Sequence, residues 1–258
     1  MSAADPYANI VQLYDLEHEA FTDDIDLLLQ LADAGDGPIL ELGCGTGRVM
    51  LPLAEAGHEV VGIDASEPML AVARARAGDI ASDDLTFVQG DMADLDAVSA
   101  GPFGMIIASL NSIMHLTTQE QQRQMIASAW RSLTPGGRLV IDTLNPSVAQ
   151  LNHLLNTTHL EGSWITDDEV SIDKWGHRQP GDEPQTIDTL IWYDQLNADG
   201  TIRRVRTRFD LRYLHQSELA LLLEIGGFQH VDWYGSYELD EWYADSDRTI
   251  AIAHKDHE

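Results

Sequence analysis

The sequence predicts an α/β fold: a doubly wound, mostly parallel seven-stranded sheet with a small antiparallel β insertion before the last helix. Three observations predict it. Between residues 39 and 143, short apolar runs alternate with segments of helical periodicity over short connections, the grammar of parallel strands covered on both faces. Gly43, Gly45 and Gly47 follow the first apolar run at every second position. That pattern suits a strand turning tightly into a helix whose free N–H groups face a ligand. From 144 to 214 the grammar changes to β-rich segments with a hairpin at Ala198-Asp199-Gly200, as antiparallel strands require.

Each element has its own warrant. Ile10, Leu13 and Tyr14 recur at helical spacing, as do Ile25, Leu28, Leu29 and Ala32, so two helices precede the sheet. Gly35-Asp36-Gly37-Pro38 stops the second and leads into the first buried strand. The helix after the glycine loop runs to about Ala56 and stops at Gly57. Pro52 inside it predicts a lost hydrogen bond and a kink. Residues 59–63 are the second strand, ending at Asp64, and Ser66 caps the next helix with Pro68 just inside. Residues 85–88 form a third strand that ends near Asp91, and 103–108 a fourth that ends near Asn111. Thr118-Gln119-Glu120-Gln121 is a capping box for a helix through Trp130. Pro135-Gly136-Gly137 then turns the chain into a fifth strand, 138–143.

The insertion opens with a polar helix or loop through His153 and continues with β segments at 162–166, 186–196 and 201–213. Residues 178–185, with Pro180, Gly181 and Pro184, read as a mobile loop. A helix over 216–225 stops at Gly226-Gly227, and strands 228–235 and 248–254 close the chain. The organisation expected is a first unit of helices and core over 1–143, an insertion over 144–214, and a return to the core over 215–258.

Composition narrows the function. Fifteen Lys plus Arg against 43 Asp plus Glu give a net charge of −28, and Lys174 and Lys255 are the only lysines. Such a field repels polyanions, which excludes a nucleic-acid substrate held on a basic surface. Cys44 is the only cysteine, so disulfide frameworks and Cys-based zinc sites are excluded. His153, His159, His254 and His257 show no metal-ligand spacing with acids or Cys, and no metal is expected. No apolar run approaches the ~20 residues of a membrane span, and the N-terminus lacks a signal-peptide pattern. A soluble cytoplasmic protein without a membrane partner is the expectation.

Four motifs stand in order: Glu41-Leu42-Gly43-Cys44-Gly45-Thr46-Gly47, Val61-Gly62-Ile63-Asp64 with Ser66 and Met69, Gly90-Asp91-Met92, and Leu133-Thr134-Pro135-Gly136-Gly137. Together they resemble the class I S-adenosylmethionine-dependent methyltransferases, a Rossmann-like family, over roughly 39–143 and the final strands. The resemblance implies S-adenosyl-L-methionine as cofactor and S-adenosyl-L-homocysteine as product. It places the backbone of Gly43, Cys44, Gly45 and Gly47 against the methionine and ribose portions, and Glu41 near the methionine amino group. Asp64 accepts the ribose hydroxyls, as the acid does in related nucleotide folds. Asp91 and Met92 hold the adenine, and Ala65, Met69, Leu110 and Asn111 complete the implied set. A nicotinamide-dependent oxidoreductase would show G-x-G-x-x-G instead of G-x-G-x-G. That reading is the weaker alternative; a non-catalytic S-adenosylmethionine-binding regulatory or interaction protein is the other.

Leu110-Asn111-Ser112-Ile113-Met114-His115-Leu116 resembles the segment after the fourth strand of small-molecule N-methyltransferases of the amino-sugar and glycine type. The likeness implies that His115 orients the acceptor and can take its proton, and that an N-terminal tyrosine, here Tyr14, lies near the methyl group. The expected reaction is in-line methyl transfer to a small-molecule acceptor, at nitrogen more than at oxygen, with a homodimer left open. The insertion is expected to cap the acceptor side. Its Arg204, Arg206, Arg208 and Arg212 share one strand face, and Val205, Phe209, Leu211 and Tyr213 the other. The arginine face is read as solvated and paired with acids such as Asp188 and Asp194; recognition of an acidic acceptor is the alternative.

Overall fold

The structure, a computed structural model, describes residues 5–18, 20–78, 80, 84–95, 98–166 and 168–256. Helices α1 (Val11–His18) and α2 (Asp23–Asp33) precede β1 (Ile39–Leu42). The chain then alternates through α3 (Met50–Glu55), β2 (Val60–Asp64), α4 (Glu67–Ala77), β3 (Leu85–Gln89), β4 (Phe103–Ala108), α5 (Gln119–Ser132) and β5 (Leu133–Leu144). Helix α6 (Val148–Leu154) leads into β6 (Thr157–Ile165), β7 (Ser171–Pro180), β8 (Thr186–Leu196) and β9 (Ile202–Arg212). Helix α7 (Gln216–Gly226), β10 (His230–Tyr234) and β11 (Arg248–His254) finish it.

The large sheet has the order β10-β11-β5-β4-β1-β2-β3. Its pairings are parallel except where β11 runs against both β5 and β10. Every residue of β1 is buried, as expected of a strand covered on both faces. The strand period of two sorts its neighbours cleanly. Leu40, Leu42, Val61, Ile63, Ile106 and Ile141 pack with Met125 and Ile126 of α5 and Leu219 and Leu223 of α7. Ile39, Val60, Met105, Ile107 and Val140 pack the opposite face with Ile25 and Leu28 of α2, Leu53 of α3 and Leu70 of α4.

Several local expectations are met in detail. Ser66 Oγ accepts from the Met69 N–H at the start of α4, and Thr118 with Gln121 forms the reciprocal capping box of α5. Gly227 ends α7 at φ +114°, where a side chain would be strained. Pro52 departs from its expectation. Helix α3 is six residues long, so Pro52 falls in its first turn, where the backbone N–H has no intrahelical acceptor to lose.

The small sheet has the order β6-β7-β8-β9, all antiparallel. Strand β7 was not expected, and it takes residues 178–180 out of the anticipated mobile loop, leaving 181–185 as the connection. Its inward positions are Ile172, Lys174, Gly176 and Arg178, too polar to read as a buried face. Lys174 is 4% exposed and is neutralised by Glu17 of α1 and Glu161 of β6. The sheet's inner face packs on α1 through Ile10, Leu13, Ile172, Ile191 and Tyr193. Among the described residues no helix is long and apolar enough to cross a membrane.

Candidate active site

The carboxyl ends of β1, β2, β3 and β4 meet at one rim, and the glycine loop crosses it. Gly43 (φ +74°) and Cys44 both donate their N–H to the Ile63 carbonyl, at 2.8 and 3.1 Å, which clamps the loop to β2. The Cys44 side chain fills the space over Gly62: a Cβ there would sit 2.7 Å from Cys44 Sγ. Burial pushes this thiol up from its ordinary value, so it is inert packing. Gly47 (φ +86°) closes the turn onto the Cys44 carbonyl. Gly45 stands at φ +54° with open space where a Cβ would be, a bare patch of backbone beside the rim.

Two carboxylates, at the ends of β2 and β1, belong to this rim. Asp64, the last residue of β2, accepts from the Gly45 N–H and the Ser66 N–H, both at 2.8 Å. Burial raises its carboxyl above the ordinary range, against these two hydrogen bonds. Glu41 is 3% exposed, and its Oε2 is buried without a hydrogen-bond partner. Burial lifts its carboxyl to about 8, with Arg48 pulling the other way. An orphaned buried carboxylate oxygen next to open backbone is the place for a cationic or N–H-bearing ligand group. Beyond them Ala65 is exposed at the turn, with Met69 buried behind it in α4. Asp91 is exposed and accepts from the Ala93 N–H at 2.8 Å. Met92 reaches back so that its Cε lies 3.6 Å from where a Gly43 side chain would begin.

Helix α1 is fastened to this loop. Thr46 Oγ1 donates to Asp15 at 2.6 Å, and Arg76 of α4 pairs with the same carboxylate at 3.0 Å. The neighbouring Tyr14 is thereby carried to the rim, where burial and the charges of Glu17, Asp64 and Glu41 raise its hydroxyl's pKa, with Arg48 opposing. Arg48 is itself locked by Asp24, 1% exposed, through bonds of 2.8 and 2.5 Å, with a third to the Phe21 carbonyl.

The segment after β4 is held in a strained form. Leu110 (φ 42°) and Asn111 (φ 68°) are consecutive left-handed residues, a conformation that costs non-glycine residues energy unless the surroundings fix it. Asp142 fixes it: its side chain accepts from the Leu110 N–H at 3.0 Å, and its carbonyl from the Asn111 N–H at 2.9 Å. Asn111 Oδ1 accepts from the Leu144 N–H in return. Arg248 and Tyr237 donate to the same Asp142 carboxylate at 2.5 and 2.8 Å.

The turn that follows, 112–115, presents His115. Its Nε2 lies 3.0 Å from the Tyr7 hydroxyl, and its ring lies 5.5 Å from Phe209 of β9. Tyr7 stacks on Phe209 and meets Tyr14 edge-on at 5.8 Å, and Tyr14 stacks on His18. Burial holds His115 at about 4, so the imidazole is neutral at ordinary pH. Tyr7 and Phe209 are absent from the expected set, as are the residues that hold this corner in place. Asp5 accepts from Ser66 Oγ at 2.6 Å, and the Pro6 carbonyl accepts from Thr207 Oγ1 at 2.5 Å. Residues 5–7 thus strap the β2 turn to the small sheet. Nothing in the local sequence marks Tyr7 as the partner of a histidine 108 residues away.

The arginine face is solvated, as read. Arg204 and Arg208 make paired hydrogen bonds to Asp194 and Asp188, and the Arg208–Asp188 pair borders a groove of about 440 Å³ lined also by His177, Leu190 and Arg206. Arg212 departs from it: it is 6% exposed and bonds Gln122 of α5 and Glu218 of α7, because those helices cover the end of β9.

Comparison with known proteins agrees with this geometry. Residues 39–137 match a protein-family profile described as a methyltransferase domain. A glycine/sarcosine N-methyltransferase of Halorhodospira halochloris is 27% identical over 248 residues, covering 95% of this chain and 85% of that protein. The solved CcbJ methyltransferase from Streptomyces caelestis is 29% identical with a TM-score of 0.73, covering 91% and 95% of the two chains. A putative methyltransferase of Bacillus subtilis (strain 168), YqeM, is 37% identical over 106 residues, 41% of this chain and 42% of that one. The chain spans about half the length of several curated relatives of this last kind. With the strand order, the glycine loop and these likenesses in hand, residues 39–137 form a methyltransferase domain within a sheet that has the fold of the class I S-adenosylmethionine-dependent enzymes.

Proposed function

We propose that this protein transfers a methyl group from S-adenosylmethionine to the nitrogen of a small-molecule acceptor. The residues suit that cofactor. Glu41 offers an unpartnered buried oxygen to the methionine ammonium, Gly45 leaves its backbone open, and Asp64 ends β2 where the ribose hydroxyls need an acceptor. Asp91 and Met92 stand where the adenine is expected, with Ala65, Met69, Leu110 and Asn111 around the same rim. When bound, the cofactor supplies an activated methyl on a sulfonium, so the protein's task is alignment and exclusion of water.

What supports nitrogen over oxygen is the enclosure of His115 against Tyr7 and Phe209, which disfavours its protonated form. A neutral imidazole at about 4 is a weak base that accepts an N–H hydrogen bond but deprotonates an alcohol poorly. An amine arrives with its lone pair available once it has lost its ammonium proton. Tyr7 holds the ring through its hydroxyl, and Tyr14 and Phe209 wall the corner with aromatic faces that suit an alkylammonium product. Phe209 comes from β9, so residues 144–214 serve as the cap on the acceptor side. The family likenesses to N-methyltransferases support the same reading.

The test is calorimetric titration with S-adenosylmethionine, S-adenosylhomocysteine and NAD, followed by a mass-spectrometric screen of small amines and alcohols for gain of one methyl. Binding of the first two ligands and methylation of an amine are expected. Tight NAD binding without the others would overturn the cofactor assignment; turnover confined to alcohols would overturn the acceptor class.

A further inference from the structure

At the opposite end of the large sheet from the glycine loop, three side chains converge that the methyl-transfer reading does not use. In the β10–β11 ladder His230 pairs directly with His254, and Asp232 lies two residues along β10 on the same face. His254 Nε2 is 2.9 Å from Asp232 Oδ2, and His230 Nε2 is 3.4 Å from Asp232 Oδ1. The two rings are 5.2 Å apart, and one ligand atom from each of the three residues lies within 4.8 Å of the others. We propose that His230, Asp232 and His254 bind a divalent transition-metal ion of the zinc type.

Geometry and donor chemistry both favour it. Tetrahedral metal–nitrogen and metal–oxygen bonds of about 2.0–2.1 Å place neighbouring ligand atoms roughly 3.3 Å apart; each histidine stands close to that distance from one Asp232 oxygen, at 2.9 and 3.4 Å, and the three ligand atoms lie within 4.8 Å of one another. Two imidazoles with one carboxylate suit zinc, nickel or copper, whereas magnesium and calcium take oxygen ligands. His230 is mostly exposed and His254 and Asp232 are partly so, which leaves an approach for the ion and a fourth position for water. The protein's net charge of −28 concentrates dications at the surface. Two cations stand nearby: Lys255, next in sequence to His254, whose Nζ donates to the Trp130 and Leu133 carbonyls, and Arg138, the β5 partner of His254. The Arg138 Nη2 is committed to the Ala34 carbonyl at 3.1 Å.

Because β11 is antiparallel to β5, His254 lies opposite Arg138 while Arg248 lies opposite Leu144 at the rim end. The ion therefore pins the edge strand β10 to β11 far from the cofactor residues, and its effect is on stability.

The experiment is calorimetric titration of the full chain with zinc chloride, with magnesium chloride as control, alongside thermal denaturation. One zinc per chain at micromolar or tighter affinity is expected, with a raised Tm and no response to magnesium. His254→Ala and the exposed-site variant His230→Asn should each weaken zinc at least tenfold and abolish the Tm rise. His153→Ala, which alters a separate surface histidine pair, should leave both unchanged. Cobalt(II) bound to the wild type should show the visible absorption of a tetrahedral site, lost in His230→Asn. Absence of zinc binding, or zinc binding untouched by both His230→Asn and His254→Ala, would overturn the assignment.

Discussion

Glu41 makes cofactor affinity depend on pH across a range where an ordinary carboxylate, already ionised, would leave it flat. Its side chain is enclosed, one oxygen has no partner, and burial takes the carboxyl from 4.5 to about 8. Burial, net of the opposing Arg48 charge, therefore costs the ionised form about 5 kcal/mol. In the ligand-free protein roughly one Glu41 in ten is ionised at pH 7 and one in a hundred at pH 6. A ligand ammonium that pairs with the carboxylate selects the ionised form. The affinity for S-adenosylhomocysteine should then rise about tenfold from pH 6 to 7, rise more slowly toward pH 8 and level off above it. Binding at pH 7 should release close to one proton, read by calorimetry in buffers of different ionisation enthalpy. For folding, the sign runs the other way. With the folded-state value raised, the stability linked to Glu41 is full below about 4.5 and is lost as pH climbs to about 8. Glu41→Gln should remove both pH dependences and bind the cofactor more weakly above pH 8. A flat affinity between pH 6 and 8 without proton release in the wild type would refute the ammonium assignment.

The remaining predictions concern Asp24 and Asp64, which act on that carboxyl, and His115. Asp24→Asn leaves the Arg48 guanidinium enclosed without its carboxylate, at a cost of about 3–5 kcal/mol. For a chain of this length that is a Tm fall of roughly 6–20 °C in thermal denaturation, and an unchanged Tm would show that Arg48 re-pairs. Asp64→Ala should weaken cofactor binding at least tenfold by calorimetry; unchanged affinity would remove Asp64 from the site. His115→Ala should lower turnover by about 100-fold with cofactor affinity retained, and normal turnover would make His115 a packing residue. Held at about 4, His115 is neutral above pH 5, so the wild-type pH–rate profile should show no histidine limb near 6.5; a limb there that vanishes in His115→Ala would contradict the weak-base reading.

What the sequence discloses follows from how far each interaction reaches. The strands of the large sheet are legible because coverage on both faces makes them apolar throughout, as in Ile39–Leu42. The α5 capping box is legible because its bonds join Thr118 to Gln121 within one turn. The pairing of Arg204 and Arg208 with Asp194 and Asp188 could be anticipated because the hairpin between them sets the register. Strand β7 escaped because its inner face is built from Lys174 and Arg178, whose charges are cancelled by Glu17 and Glu161 on other elements. The same reason hides the acceptor corner. Tyr7, Phe209 and His115 carry no mutual spacing, and only the strap of residues 5–7 across Ser66 and Thr207 brings them together. It hides Asp142 as well, since the strain it relieves belongs to Leu110 and Asn111 on the neighbouring strand's loop. The cofactor half of the site thus rests on two consecutive βα turns, after β1 and β2, whose residue types mark them in the sequence and whose parallel pairing brings Gly45 to Asp64. The proposed acceptor half rests on side chains that meet across elements: His115 lies against Tyr7 and Phe209, and Asp142 fixes the Leu110–Asn111 backbone that leads to it.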